Sequence, residues 1–200
     1  MIPRYLKIAV GVLFAGVLLM GAYLWHMRGK AAQTETRTAD KRPVAPPVAG
    51  PTEQVILYVA DDDPGILRTE SARIPLPGGR QQRAQELLRA VLSIYLQKNS
   101  PHPLGVGADI RDVYIVDPGL AVIDLNSAFV DGHRSGVLVE ELTLASLVQT
   151  LAGNIPGINR VRILVEGKQR TTLAGHVDLS NAYDTSAVAR LSQELASTPQ

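Results

Sequence analysis

The sequence predicts an α+β fold: one mixed, largely antiparallel sheet with two main helices packed on one face, preceded by a single transmembrane helix. Three observations predict it. Residues 8–25 form an unbroken apolar or aromatic run. Beyond it, short β-branched runs and two helical stripes follow in the order strand, strand, helix, strand, strand, helix, strand, which is mixed rather than regularly alternating. Close to half of the 200 residues are apolar and a fifth are charged, and 17 Gly with 13 Pro are too few for a collagen-like or low-complexity chain, so a packed core is expected.

The apolar run is the first element. Its eighteen residues, at about 1.5 Å each, span about 27 Å, close to the hydrocarbon thickness of a bilayer. Arg4 and Lys7 precede it, Tyr23 and Trp25 fall where interfacial aromatics belong, and Arg28 and Lys30 close it. Bulky residues follow where a signal peptidase would need small ones, so a retained anchor is expected over residues 1–28. The short tail ahead of the span holds no acid, as in a signal anchor, and this places the larger part outside the cytoplasm. Residues 29–54 lack a hydrophobic period and hold Pro43, Pro46, Pro47 and Pro51, so they read as an extended spacer.

A domain is expected over residues 55–182. Val55 to Val59 reads as a strand ended by the turn chemistry of Asp61, Asp62, Asp63, Pro64 and Gly65, and residues 67–76 as a second strand pairing back. Ala84, Leu87, Leu88, Val91, Leu92 and Tyr95 recur at helical spacing and form one stripe. Residues 110–116 and 120–125 read as strands of a hairpin joined by Asp117, Pro118 and Gly119. A second helix over 136–152 is apolar around most of its circumference, which marks it as buried; Gly153 and Asn154 suit a left-handed cap and Pro156 ends the ladder. Residues 161–165 form a strand, Glu166, Gly167 and Lys168 a turn, and residues 171–179 a short edge segment. Residues 183–200 are a tail in which Val188, Leu191 and Leu195 share the thin face of one more helix, prone to fraying.

Composition excludes several functions. Cysteine is absent, which removes disulfides, thiolate metal sites and a catalytic cysteine. Residues 1–52 carry seven Lys or Arg against two Asp or Glu, whereas residues 53–200 carry thirteen against seventeen, so the folded part is acidic and unsuited to nucleic acid.

No residue is assigned a catalytic, cofactor-binding or metal-ligating role. His26, His102, His133 and His176 include no pair at the spacing that puts two imidazoles on one helix face. His176 and Asp178 would share a face in an extended segment, but a surface histidine near a turn is the simpler expectation. Ser135 sits one place late for a nucleophile elbow and is expected to cap the following helix. Gly167 and Lys168 lack the rest of a phosphate loop, Asp61 to Asp63 read as a solvated turn rather than a calcium loop, and Glu140 and Glu141, adjacent on a helix, diverge by about 100°.

Several segments together resemble the GerMN domain family: residues 55–63; Ala121, Val122, Ile123, Asp124, Leu125, Asn126 and Phe129; Leu147, Val148, Gln149, Thr150 and Leu151; and residues 156–168 running into Thr172, Leu173, Gly175 and His176. The resemblance covers residues 53–180. It implies a sheet-and-helix module of assembly or scaffolding type, extracytoplasmic and membrane-associated, with no catalytic residues to carry over. At those positions Ile123 and Leu125 face one side of a strand, Phe129 plugs the end of the core, and Thr150 is expected to satisfy a backbone carbonyl.

The functional expectation is a membrane-anchored, non-enzymatic binding or assembly module of the bacterial cell envelope, with envelope proteins or further copies of itself as partners, no cofactor and no small-molecule substrate. Two alternatives stand beside it: an envelope hydrolase whose Asp or His residues converge from separate strands, and a glycan-binding module, for which Tyr58, Tyr95, Tyr114, Tyr183 and Phe129 are few aromatics.

Overall fold

The computed structural model describes Met20, residues 50–116 and residues 118–197. Apart from Met20, the expected membrane segment lies outside the described residues, as does the linker up to residue 49.

Strand β1 (Thr52–Asp61) begins earlier than the expected start at Val55 and pairs antiparallel with β2 (Ile66–Pro75) from Thr52↔Pro75 to Asp61↔Ile66. Helix α1 (Arg80–Tyr95) buries Ala84, Leu87, Leu88, Val91, Leu92 and Tyr95, the stripe the periodicity predicts. Strands β3 (Ile110–Val116) and β4 (Leu120–Leu125) have the predicted bounds and pair antiparallel, with a bulge between Ile110 and Asp112. Gly119 turns between them with φ +79°, and a Cβ there would lie 2.5 Å from the carbonyl oxygen of Gly157. Only glycine fits both constraints.

The short helix α2 (Ser127–Asp131), which periodicity could not predict, starts because the Asn126 side chain accepts from the Phe129 N–H. Helix α3 (Val137–Asn154) then crosses over to β5 (Arg160–Val165), which lies parallel to β4. Glu166 (φ 52°) and Gly167 (φ 71°) form a tight turn. The expected edge segment at 171–179 is instead an irregular loop closed by one bridge, Thr172↔Asp178. Strand β6 (Tyr183–Asp184) pairs antiparallel with β5, and α4 (Thr185–Ser197) follows, burying Val188.

The fold class is α+β with a mixed sheet, but the expectation of a single sheet is corrected: β1 and β2 form a two-stranded sheet, and β3-β4-β5-β6 a separate four-stranded one. The reason lies in α3. Residues Leu142, Thr143, Leu144, Ala145, Ser146, Leu147 and Val148 are all buried, which requires cover on every side of the helix. Its polar residues Ser146, Thr150 and Asn154 recur every fourth position, a rise of about 6.0 Å, close to the roughly 6.6 Å between alternate residues of a strand. They serve the outer edge of β1 in place of a third strand. Asn154 accepts from the Ile56 N–H (3.3 Å) and donates to the Ile56 carbonyl (2.6 Å), and Thr150 Oγ1 accepts from the Tyr58 N–H (3.0 Å). The Ala60 N–H donates to Tyr95 Oη (2.8 Å), which lies 2.5 Å from Ser146 Oγ, and Ser146 donates to the Tyr58 carbonyl (2.6 Å). An edge satisfied in this way has nothing left to offer a strand.

Two smaller expectations are corrected by the same contacts. Thr150 satisfies a strand N–H rather than a carbonyl. Gly153 and Asn154 are not a left-handed cap: Asn154 belongs to the helix and straps β1, while Gly153 admits the Tyr58 ring, whose Cε2 would lie 2.9 Å from a Cβ there.

Candidate functional site

Clusters of buried titratable side chains touch α3 in two places; another buried acid, Asp124 on β4, pairs with Arg111 and accepts from the Gly167 N–H. The first is a closed circuit of polar groups, buried except at the half-exposed Arg134 and the partly buried Asp62. Of the three acids in the β1–β2 turn, Asp62 draws inward: its N–H donates to the Pro101 carbonyl (3.1 Å), which brings the loop after α1 against the turn. His102 on that loop is 0% exposed, its ring set edge-on to Tyr95 at 4.8 Å between centroids. His102 Nδ1 lies 2.6 Å from Asp62 Oδ1, and His102 Nε2 lies 2.6 Å from Thr143 Oγ1. The same hydroxyl is 2.7 Å from His133 Nε2 and 3.0 Å from the Val139 carbonyl. His133 Nδ1 donates to the Arg134 carbonyl (2.7 Å), and the Arg134 guanidinium closes the circuit on Asp62.

The order Asp62, His102, Thr143 matches that of a hydrolytic triad, but the chemistry does not follow. Thr143 is 1% exposed, so its hydroxyl has no room for an incoming carbonyl carbon. Burial pushes His102 down to about 4 and also lowers His133, so both rings are neutral at pH 7. With each Nδ1 carrying its proton toward an oxygen, both Nε2 lone pairs and the Val139 carbonyl turn on the single Thr143 hydroxyl hydrogen. The circuit clamps three loops onto α3.

The second place is Glu140, fully buried in the first turns of α3. One carboxylate oxygen accepts from the N–H groups of Ala174 (3.0 Å), His176 (3.0 Å) and Val177 (2.9 Å). The other accepts from His176 Nδ1 (2.9 Å) and from the Gly136 N–H (3.3 Å). Burial alone would raise this carboxyl, but the hydrogen bonds from Val177, the His176 ring, and the Ala174 and His176 amides outweigh it and hold the group at about 2. Glu140 therefore answers the Gly136 amide at the start of α3 and shapes the loop between β5 and β6.

This arrangement corrects the reading of Ser135 as a cap. Helix α3 has no side-chain cap at Gly136, and Ser135 Oγ instead lies 3.4 Å from His176 Nδ1. Because Glu140 and Ser135 meet the same ring nitrogen, the imidazole cannot take a proton from the serine while the carboxylate steadies its far side, as a triad requires. His176 and Asp178 do not pair either: Asp178 accepts from the Ser180 N–H (2.8 Å). Among the described residues no group of three or more His, Asp or Glu could hold a metal ion.

Above Glu140 lies an open groove of about 480 Å³ between the start of α3, residues 175–178, Tyr183 and α4. Leu144, Val177, Val137 and Leu191 supply apolar walls, and Glu141, Asp178, His176 and Tyr183 the polar groups. Glu140 and Glu141 thus diverge as expected, one inward and one into the groove. Burial, with the charges of Asp178 and Glu141, pushes the Tyr183 phenol up to about 12.

Residues 56–171 match the Germane family model, whose description is sporulation and spore germination. The chain belongs to the Germane family. The resemblance to GerMN domains drawn from residues 53–180 is confirmed on this match. Among solved structures, the tandem GerMN domains of the sporulation protein GerM from Bacillus subtilis align over 67% of this chain and 46% of their own length, at 17% identity and a TM-score of 0.50. The first GerMN domain of that protein aligns over 66% of this chain and 97% of its own, at 16% identity and a TM-score of 0.46. A Clostridium perfringens protein described as a candidate lipoprotein aligns over 74% and 97%, at 22% identity and a TM-score of 0.47. Likeness at these identities concerns the fold alone, and the Germane chain spans about half the length of the tandem structure. Comparison with curated proteins yields no match.

The circuit of Asp62, His102, His133 and Thr143 was not assembled by sequence reasoning, although one signal pointed to it. A helix apolar all round that still carries Glu140, Thr143, Ser146 and Thr150 must find them buried partners.

Proposed function

We propose that this Germane-family chain is a non-catalytic binding or assembly module of the bacterial cell envelope, held at the membrane by residues 8–25 with its domain outside the cytoplasm. The observation that carries the reading is the wiring of the ionisable groups. His102, Thr143 and Glu140 are enclosed and bonded to one another or to backbone, so these side chains serve the fold, and of the imidazoles in the two clusters it is His176 that reaches the groove. Among the accessible surfaces is a groove walled by apolar and acidic side chains, which suits contact with a partner.

Family membership agrees with an envelope-associated role. Chemical crosslinking of intact membranes tests the proposal: a discrete adduct with another envelope protein, or with a second copy, is expected, and the absence of any adduct would refute it. Reporters active only inside or only outside the cytoplasm, fused to the carboxyl terminus, test the orientation, and a cytoplasmic signal would overturn it.

A further inference from the structure

The groove above Glu140 has a definite chemical character. One apolar residue of its lining is unusually open: Val137 is 55% exposed at the rim, above the buried Leu144 and Val177. Two carboxyl side chains line it, Glu141 and Asp178, and the lining includes no Lys or Arg. At the positive end of α3 Glu140 accepts from the Gly136 N–H, which places a negative charge against that end. Arg190 on α4 does not line the groove. His176 is half-exposed; Glu140 and Ser135 occupy its Nδ1, and its Nε2 has no partner among the described residues.

We propose that this groove docks a short segment of a partner protein that presents a Lys or Arg between apolar side chains. The cation lies against Glu141 and Asp178, and the flanking side chains cover Val137 and the half-buried Leu191. Charge complementarity selects this occupant over an acidic peptide, and the apolar walls select it over a free polyamine, which has no side chains to cover them. The inference rests on the binding-module reading and specifies the partner's chemistry.

The test is selection of a displayed library of random twelve-residue peptides on the full-length protein in lipid nanodiscs. It is repeated on Glu141→Lys, a substitution at the groove surface, after unfolding curves confirm that the variant is folded. Peptides with Lys or Arg flanked by apolar residues are expected from the native protein, and their affinity for Glu141→Lys is expected to fall by about tenfold or more. Glu141→Gln should lie between the two. Absence of enrichment, enrichment of acidic or uncharged peptides, or equal binding to Glu141→Lys would each overturn the assignment. Membrane adducts that persist despite such a result would refute the groove while leaving the module reading intact.

Discussion

Replacing Glu140 with Gln keeps the size of the side chain and removes its charge, so it tests whether one buried carboxylate organises the loop between β5 and β6. Three amides converge on one oxygen, those of Ala174, His176 and Val177. A glutamine carbonyl can still accept from them, but more weakly, since a hydrogen bond to a charged group contributes about 1.5–3 kcal/mol against about 1 for a neutral one. The other carboxylate oxygen becomes an NH₂ group facing the Gly136 N–H and His176 Nδ1, which sets donor against donor. A loss of about 2–4 kcal/mol follows, equivalent to a fall in Tm of roughly 5–15 °C for a domain of this size. The only tryptophan, Trp25, lies outside the domain, so urea and thermal unfolding are best followed by far-UV circular dichroism. Because the folded-state pKa of about 2 lies below the ordinary 4.5, Glu140 contributes stability above pH 4.5 that is lost as pH falls toward 2. Glu140→Gln should flatten that acid limb, and Glu141→Gln should leave it unchanged. Stability of Glu140→Gln within about 0.5 kcal/mol of the native protein, the range of ordinary surface changes, would refute the reasoning.

Three further outcomes are expected. His102, held near 4 by burial against an ordinary 6.5, contributes stability that is complete above pH 6.5 and declines by about 3 kcal/mol as pH falls to about 4; NMR of its imidazole should show no titration between pH 8 and about 5.5, and a midpoint near 6.5 would contradict the burial argument. Thr150→Val leaves the Tyr58 N–H without its acceptor, so a cost of about 1–3 kcal/mol and faster hydrogen exchange at Tyr58 are expected, whereas unchanged exchange would show that α3 does not serve that edge. Gly119→Ala places a Cβ against the Gly157 carbonyl at positive φ, so a loss of about 2–4 kcal/mol in urea unfolding is expected, and a neutral result would mean that the turn readily rearranges.

The elements legible in the sequence were those with a local period. The stripe from Ala84 to Tyr95 and the hairpin over residues 110–125 were readable because burial repeats every three to four residues in the helix and every two at Ala121, Ile123 and Leu125, with Pro118 and Gly119 marking the turn. The circuit and the carboxylate knot were not, because they depend on where distant loops come to rest. Nothing near Asp62 distinguishes it from Asp61 or Asp63 until the Pro101 carbonyl fixes the turn. Glu140 reads as one of two adjacent acids until residues 174–177 fold over it. The division into two sheets was also hidden, since side chains at 146, 150 and 154 imitate a strand without any strand-like pattern. Their spacing of four on an otherwise apolar helix was the available clue.

Site-resolved photocrosslinking in living cells tests the central claim most directly, with a photoreactive residue placed in turn at Val137, at Asp178 and at the exposed Ser93 on α1. Discrete protein adducts from positions 137 and 178, and none from 93, are the predicted result. Absence of adducts from the groove positions, with the protein intact and in its membrane, would contradict the view that this domain acts by holding another protein.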